Sequence, residues 1–347
     1  MSITPPMVLT KPHYTPSAPV GAALSQPLHI KAVVIDMDGT LMPTYKVLIS
    51  LIEADAALKR LFEDTYLKMW SDRLPSRMMS LFGIQSLLHH PEESTQQMFV
   101  QTLEALDAAI PVATLHRMQH AVNASFQLYS GVLEFLMCAT NYGIYIAIYS
   151  DSLSDSVVLR LMRSGISPIC FDAIYAKYDP AHPEQQILQT NGSFPVQSGY
   201  EKILVPCGFQ KPDVMPLKQI AHITKAAPDQ ILMIGDSLSD LHVAVGIDFS
   251  TEYEPDLTPR TSIFCFQEEG AKDISDQERL MNTRLRPGKE VLGADAVNRG
   301  IETLGVEDYI IRLPQGFNTL NRLIEEGAIR LSPSNYLGAQ WASDLAI

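Results

Sequence analysis

Val33-Val34-Ile35-Asp36-Met37-Asp38-Gly39-Thr40-Leu41 carries an unbroken apolar run, begun at Ala32, straight into two carboxylates and a glycine. A continuous apolar run of this length reads as a parallel strand buried on both faces. Because it ends in acids, it delivers Asp36 and Asp38 to the carboxyl edge of a sheet, where open α/β folds bind their ligands. Residues i and i+2 of an extended chain point the same way. One carboxylate can therefore serve as nucleophile and the other as general acid and base.

Two more strands of this kind follow. Ile144-Tyr-Ile-Ala-Ile-Tyr149 ends in Ser150-Asp151-Ser152, and Gln230-Ile-Leu-Met-Ile234 ends in Gly235-Asp236-Ser237. Helical spacing separates them, over 132–141, 153–164 and 214–225, with another helix from about 238. A short strand is expected near 171–175. Strands alternating with helices imply an α/β fold with a doubly wound, parallel, Rossmann-like sheet. Between the first two strands, residues 44–130 show only helical patterns, broken near Pro75, Gly83, Pro91 and Pro111. That is too long for a plain crossover and reads as an inserted helical domain. The catalytic core then comprises 29–43 and 131–257, with a flexible Pro/Ser/Thr-rich arm at 1–28 and a C-terminal extension of undefined role at 258–347.

Composition narrows the class. Apolar residues make up 46% and charged ones 19% of 347 residues, as in globular proteins. A net charge of −13 argues against non-specific nucleic-acid binding, which needs a basic face, but not against a small anionic substrate, since a metal ion can reverse the local field. The cysteines (Cys138, Cys170, Cys207 and Cys265) are scattered without C-x-x-C spacing, which disfavours a zinc site or disulfide framework and makes a reducing cytoplasm the expected location. No apolar run reaches the roughly 18 residues of a membrane span, and no signal peptide is expected.

Singly, each polar residue at a strand end has a plain explanation. Asp-Gly makes turns, Ser150, Asp236 and Ser237 make helix caps, and Lys211 suits solvent. Their order is what matters. Asp36-Met-Asp38-Gly39-Thr40, Ser150, Lys211 and Gly235-Asp236-Ser237-Leu238-Ser239-Asp240 resemble the four motifs of the haloacid dehalogenase superfamily, on its phosphatase side, with phosphoglycolate phosphatase and beta-phosphoglucomutase as the nearest types. The resemblance covers about residues 30–250.

It implies that Asp36 attacks phosphorus to form an aspartyl phosphate, while Asp38 protonates the leaving oxygen and then activates water. Ser150 would bind the phosphoryl oxygens and Lys211 would offset charge on the phosphoryl group and Asp36. Asp36 and Asp236 would hold Mg²⁺, with Asp38 contributing its backbone carbonyl and Asp240 supporting the shell. Family dehalogenases lack an acid at the position of Asp38, because a halide needs no proton to leave, so dehalogenation is disfavoured.

In the family, a helical insertion, the cap domain, chooses the substrate. Residues 44–130 match it in place, with Arg73, Arg77, His89 and His90 as candidate contacts and a small phosphorylated metabolite as the expected partner. No nucleic acid or membrane is expected as a partner. The 177–208 stretch is long and is expected to add an edge hairpin or a surface for a protein partner or self-association, a role the C-terminal extension could share. Within that extension Leu304–Thr319 with Leu331-Ser332 resembles the helical region before the signature of ABC-transporter ATPases, but no G-x-x-x-x-G-K-[ST] loop exists to make an ATPase. The milder expectation is a helical appendage. A phosphomutase with the same motifs, and a non-catalytic binding protein retaining the fold, stay open as alternatives.

Overall fold

The computed structural model describes residues 26–44, 126–166, 170–177, 187–189, 204–206, 211–246, 261–270 and 294–334, with Ala54 and Ala56. Nearly all of the arm and the cap, including Arg73, Arg77, His89 and His90, lies outside these residues, as does Cys207.

The core is built on the strands β2 (Ala32–Ile35), β3 (Tyr145–Leu153), β4 (Ala173–Lys177) and β7 (Ile231–Gly235). With β5 (Ile187–Gln189), β6 (Leu204–Pro206), β8 (Ile263–Gln267) and β9 (Ile310–Leu313) they form one sheet, in the order β5-β6-β4-β3-β2-β7-β8-β9. Every neighbour pair is parallel except β5 with β6. The antiparallel β5–β6 pair is the expected edge hairpin of the 177–208 stretch.

The sheet is covered on both faces, which is why its central strands read as continuous apolar runs. On one face Val33 and Ile35 pack with α1 (Val132–Asn141), α2 (Ser154–Ser164) and α6 (Phe317–Glu325). On the other, Ala32 and Val34 pack with α3 (Met215–Thr224), α4 (Leu238–Val245) and α5 (Ala294–Leu304). From β2 the chain steps out through β3 to β4, then returns to place β7 on the other side of β2. That reversal is a topological switch point, and it opens a crevice beyond the carboxyl ends of β2 and β7.

The 258–347 segment is not an appendage. It supplies β8 and β9 to the sheet, and β10 (Ile329–Leu331) pairs in parallel with β1 (Leu28–Ile30). The 304–319 stretch, expected as a helical appendage, runs through a 3-10 turn and β9 into α6. The buried alternation of Ile311 and Leu313 favours a strand there. Asn318 and Asn321 of this segment meet Gly131, where the chain re-enters the core: Asn321 Nδ2 donates to the Gly131 carbonyl at 2.9 Å.

Candidate active site

The crevice collects its acids from strand ends. Asp36 follows β2, Asp236 follows β7, and Asp240 sits in the first turn of α4; all three are buried. One carboxylate oxygen from each lies within 4.8 Å of the others. Local sequence explains the placement. Ser237 caps α4, accepting from the Asp240 N–H at 3.3 Å, and Asp240 Oδ2 accepts from the Ser237 N–H at 3.1 Å. The cap leaves Asp240 Oδ1 for the Lys211 ammonium, at 2.7 Å. Lys211 also pairs with Asp36 Oδ1, and its backbone N–H is fixed by Asp151 Oδ1 at 2.8 Å.

Glycines let these groups approach. Gly39 has φ +85°, and a Cβ there would stand 2.1 Å from Asp236 Oδ2. A Cβ on Gly235 would stand 2.4 Å from Asp240 Cγ. Gly270, just past β8, closes over the same loop: its Cβ would fall 1.7 Å from the Gly39 carbonyl oxygen.

Charge in the crevice is unbalanced. Three carboxylates (Asp36, Asp236, Asp240) face one ammonium among the described residues, that of Lys211, so full ionisation would leave two surplus negative charges in a buried space. Burial pushes Asp36 well above the ordinary carboxylate range, with Asp240 and Asp38 adding to the shift against the pull of Lys211. Burial, Asp36 and Asp240 push Asp236 the same way. Burial opposes the Lys211 charge, but Asp240 and Asp36 outweigh it and hold the ammonium well above its usual value. Asp236 Oδ2 is buried with no hydrogen-bond partner. An all-oxygen donor set with two surplus negative charges and an orphaned carboxylate oxygen fits a divalent hard cation.

Asp38 has a different environment. Its Oδ1 accepts from Arg160 Nη1 at 2.6 Å and from Thr44 Oγ1 at 2.6 Å, and its Oδ2 accepts from Ser152 Oγ at 2.8 Å. Burial alone would raise this carboxyl, but Arg160, with the hydrogen bonds from Thr44, Arg160 and Ser152, holds it below its ordinary value. Its side chain is accordingly outside the three-carboxylate group. Ser150 is buried within β3, where its Oγ accepts the Ser152 N–H at 3.1 Å. Ser150 thus supports Ser152, which holds Asp38.

The structure brings Asp36, Asp236, Asp240 and Lys211 together, and sets Asp38 beside them on its own partners. Sequence reasoning missed Arg160, Thr44, Ser152 and Gly270. Arg160 had one visible signal, a cation within the apolar face formed by Val157, Val158 and Leu161. Gly270 had none, because its segment gave no sign of belonging to the sheet.

No curated protein matches the sequence. Among solved structures, L-2-haloacid dehalogenase from Xanthobacter autotrophicus, with chloropropionic acid covalently bound, is 15% identical with a TM-score of 0.42, covering 85% of this chain and 98% of that one. A Thermotoga maritima protein assigned as a beta-phosphoglucomutase is 14% identical with a TM-score of 0.39, covering 85% and 100%. The model of the haloacid dehalogenase-like hydrolases matches residues 30–247, from the strand that leads into Asp36 to the end of the helix that carries Asp240. On that match, which spans most of the sequence and both halves of the crevice, the chain belongs to the haloacid dehalogenase-like hydrolase family.

Proposed function

We propose that this hydrolase is a magnesium-dependent phosphatase acting on a small phosphate monoester through a phosphorylated Asp36. The observation that carries the reading is the split between its two neighbouring acids. Asp36 lies among carboxylates and Lys211, while Asp38 lies apart on Arg160, Thr44 and Ser152. Carboxyl groups with opposed environments take different chemical roles.

In the first half-reaction an Asp36 oxygen forms a bond to phosphorus as the ester P–O bond breaks, and the departing oxygen takes a proton from Asp38. In the second, water attacks the phosphoryl group of Asp36, the Asp36–P bond breaks, and Asp38 takes the water proton. A substrate phosphate beside Asp38 opposes its negative charge and raises its proton affinity, which loads it for the first step. Lys211 bridges Asp36 and Asp240, so it holds the nucleophile in place and keeps a positive charge at the reacting group. Asp36, Asp236 and the Asp38 carbonyl would hold Mg²⁺, with Asp240 behind them. Bound there, the ion supplies charge neutralisation at the phosphoryl oxygens.

The test is phosphate release from a panel of sugar and organic-acid phosphates in Mg²⁺. Turnover of at least one substrate, abolished by Asp36→Asn, supports the reading. Release of halide from haloacids with no phosphate release would overturn it. Phosphorus NMR of the product separates hydrolysis, which gives free phosphate, from a mutase, which gives a phosphate isomer.

A further inference from the structure

Arg160 is a fully buried guanidinium beneath Asp38. Its contact is end-on. Nη1 reaches only Oδ1 of the carboxylate, and Nη2 donates to Thr44 Oγ1, whose hydroxyl donates to the same Oδ1. A guanidinium that only neutralised a buried acid would gain most from a two-oxygen fork. Here Oδ1 is held by two donors, while Oδ2 meets one neutral hydroxyl, Ser152 Oγ at 2.8 Å. Removing a cation and a carboxylate from water is costly, and an apolar side chain among Val157, Val158 and Leu161 would pack without that cost.

We infer that Arg160 is a positioning residue for the proton transfer: with Thr44 it anchors Oδ1 of Asp38, leaving Oδ2 as the oxygen that exchanges the proton with the leaving group and then with water. Ser152 Oγ occupies the hydrogen-bond position on Oδ2 that the leaving-group oxygen takes over. The inference rests on the phosphatase reading, and it adds which oxygen reacts and what aims it.

Leaving-group dependence tests it. An aryl phosphate expels a stable phenolate and needs little protonation, whereas an alkyl phosphate needs the acid. Arg160→Lys keeps the charge but loses the bridge between Asp38 and Thr44. We expect it to lower kcat/KM, which reports only the steps up to phosphorylation of Asp36, about 10–100-fold more for an alkyl phosphate than for p-nitrophenyl phosphate, within the roughly 10²–10⁴-fold that general acid catalysis supplies. In an Asp38→Asn background the same change should have no further effect on p-nitrophenyl phosphate turnover. Thr44→Val, a milder change, should show the same alkyl-selective loss to a smaller degree, and it decides the matter if Arg160→Lys does not fold. Equal losses on both substrates, or a further loss in the Asp38→Asn background, overturn the inference. Wild-type enzyme that hydrolyses neither ester overturns the phosphatase reading itself and this inference with it.

Discussion

Asp36 and Asp38 are two positions apart in sequence and opposite in surroundings, and the difference has measurable consequences. Asp36 and Asp236 hold their protons more tightly than ordinary carboxyls in the metal-free fold. Cation binding must displace those protons, so Mg²⁺ affinity should rise with pH, and calorimetry in buffers of different ionisation enthalpy should detect proton release. Affinity independent of pH would contradict that charge balance. A second carboxyl makes a stability prediction. Asp172 accepts the Ile146 N–H at 2.8 Å, and burial pushes its carboxyl up to about 6. A raised folded value contributes stability that is full below the unfolded pKa of about 4 and is lost as pH rises through 6. Asp172→Asn keeps the acceptor and removes the charge, so at pH 7 it should raise the unfolding free energy by about 1–2 kcal/mol in urea titrations, with no gain at pH 4. At this scale the motif acids were legible because strand ends expose them in fixed order. Arg160 was not, because an arginine in an amphipathic helix ordinarily faces solvent, and only the fold shows a carboxylate beneath it.

At the scale of elements, the site depends on how closely the Met37–Met42 turn packs on its neighbours. The Gly39 N–H donates to the Met42 carbonyl at 2.8 Å, and its positive φ brings the turn against Asp236. Gly270 presses on that turn from the end of β8. Gly270→Ala forces backbone against backbone and should cost about 1–3 kcal/mol of stability, with a larger proportional loss of turnover than of stability because the turn carries Asp38 and follows directly on Asp36. Melting and steady-state kinetics on one preparation check this, and an unchanged kcat would show that the contact does not position the site. Periodicity found β2, β3, β7 and their helices, and the Ser237–Asp240 cap could be read as a Ser-x-x-Asp start. The length of the 177–208 stretch left an edge hairpin or a partner surface as alternatives, and β5 with β6 forms the hairpin. Gly270's contact is between segments more than 200 residues apart, which no local pattern encodes.

For the molecule as a whole, the C-terminal quarter completes the fold. Phe264, Phe266, Ile311, Leu313, Phe317 and Leu320 are all buried, and at about 1.5–3 kcal/mol each their burial is worth roughly 9–18 kcal/mol. That rivals the net stability of about 5–15 kcal/mol of an entire domain. A chain ending at residue 257 should therefore fail to give a cooperative unfolding transition by circular dichroism, whereas a separable appendage would leave the transition intact. The sequence pattern weakened here because β8 and β9 are short runs more than 40 residues apart in sequence, which hides the strand–helix–strand alternation they form with α5. No helix among the described residues is long and apolar enough to cross a membrane.

The central claim is that Asp36 carries the phosphoryl group, and chemical trapping tests it most directly. Enzyme mixed with a hydrolysed phosphate ester in Mg²⁺ is quenched during turnover, reduced with borohydride and digested. The account predicts that mass spectrometry finds the peptide spanning Asp36 with that residue reduced to homoserine, and that Asp38 is untouched. Steady phosphate release with no reduction at Asp36, or with reduction at Asp38 instead, would contradict it.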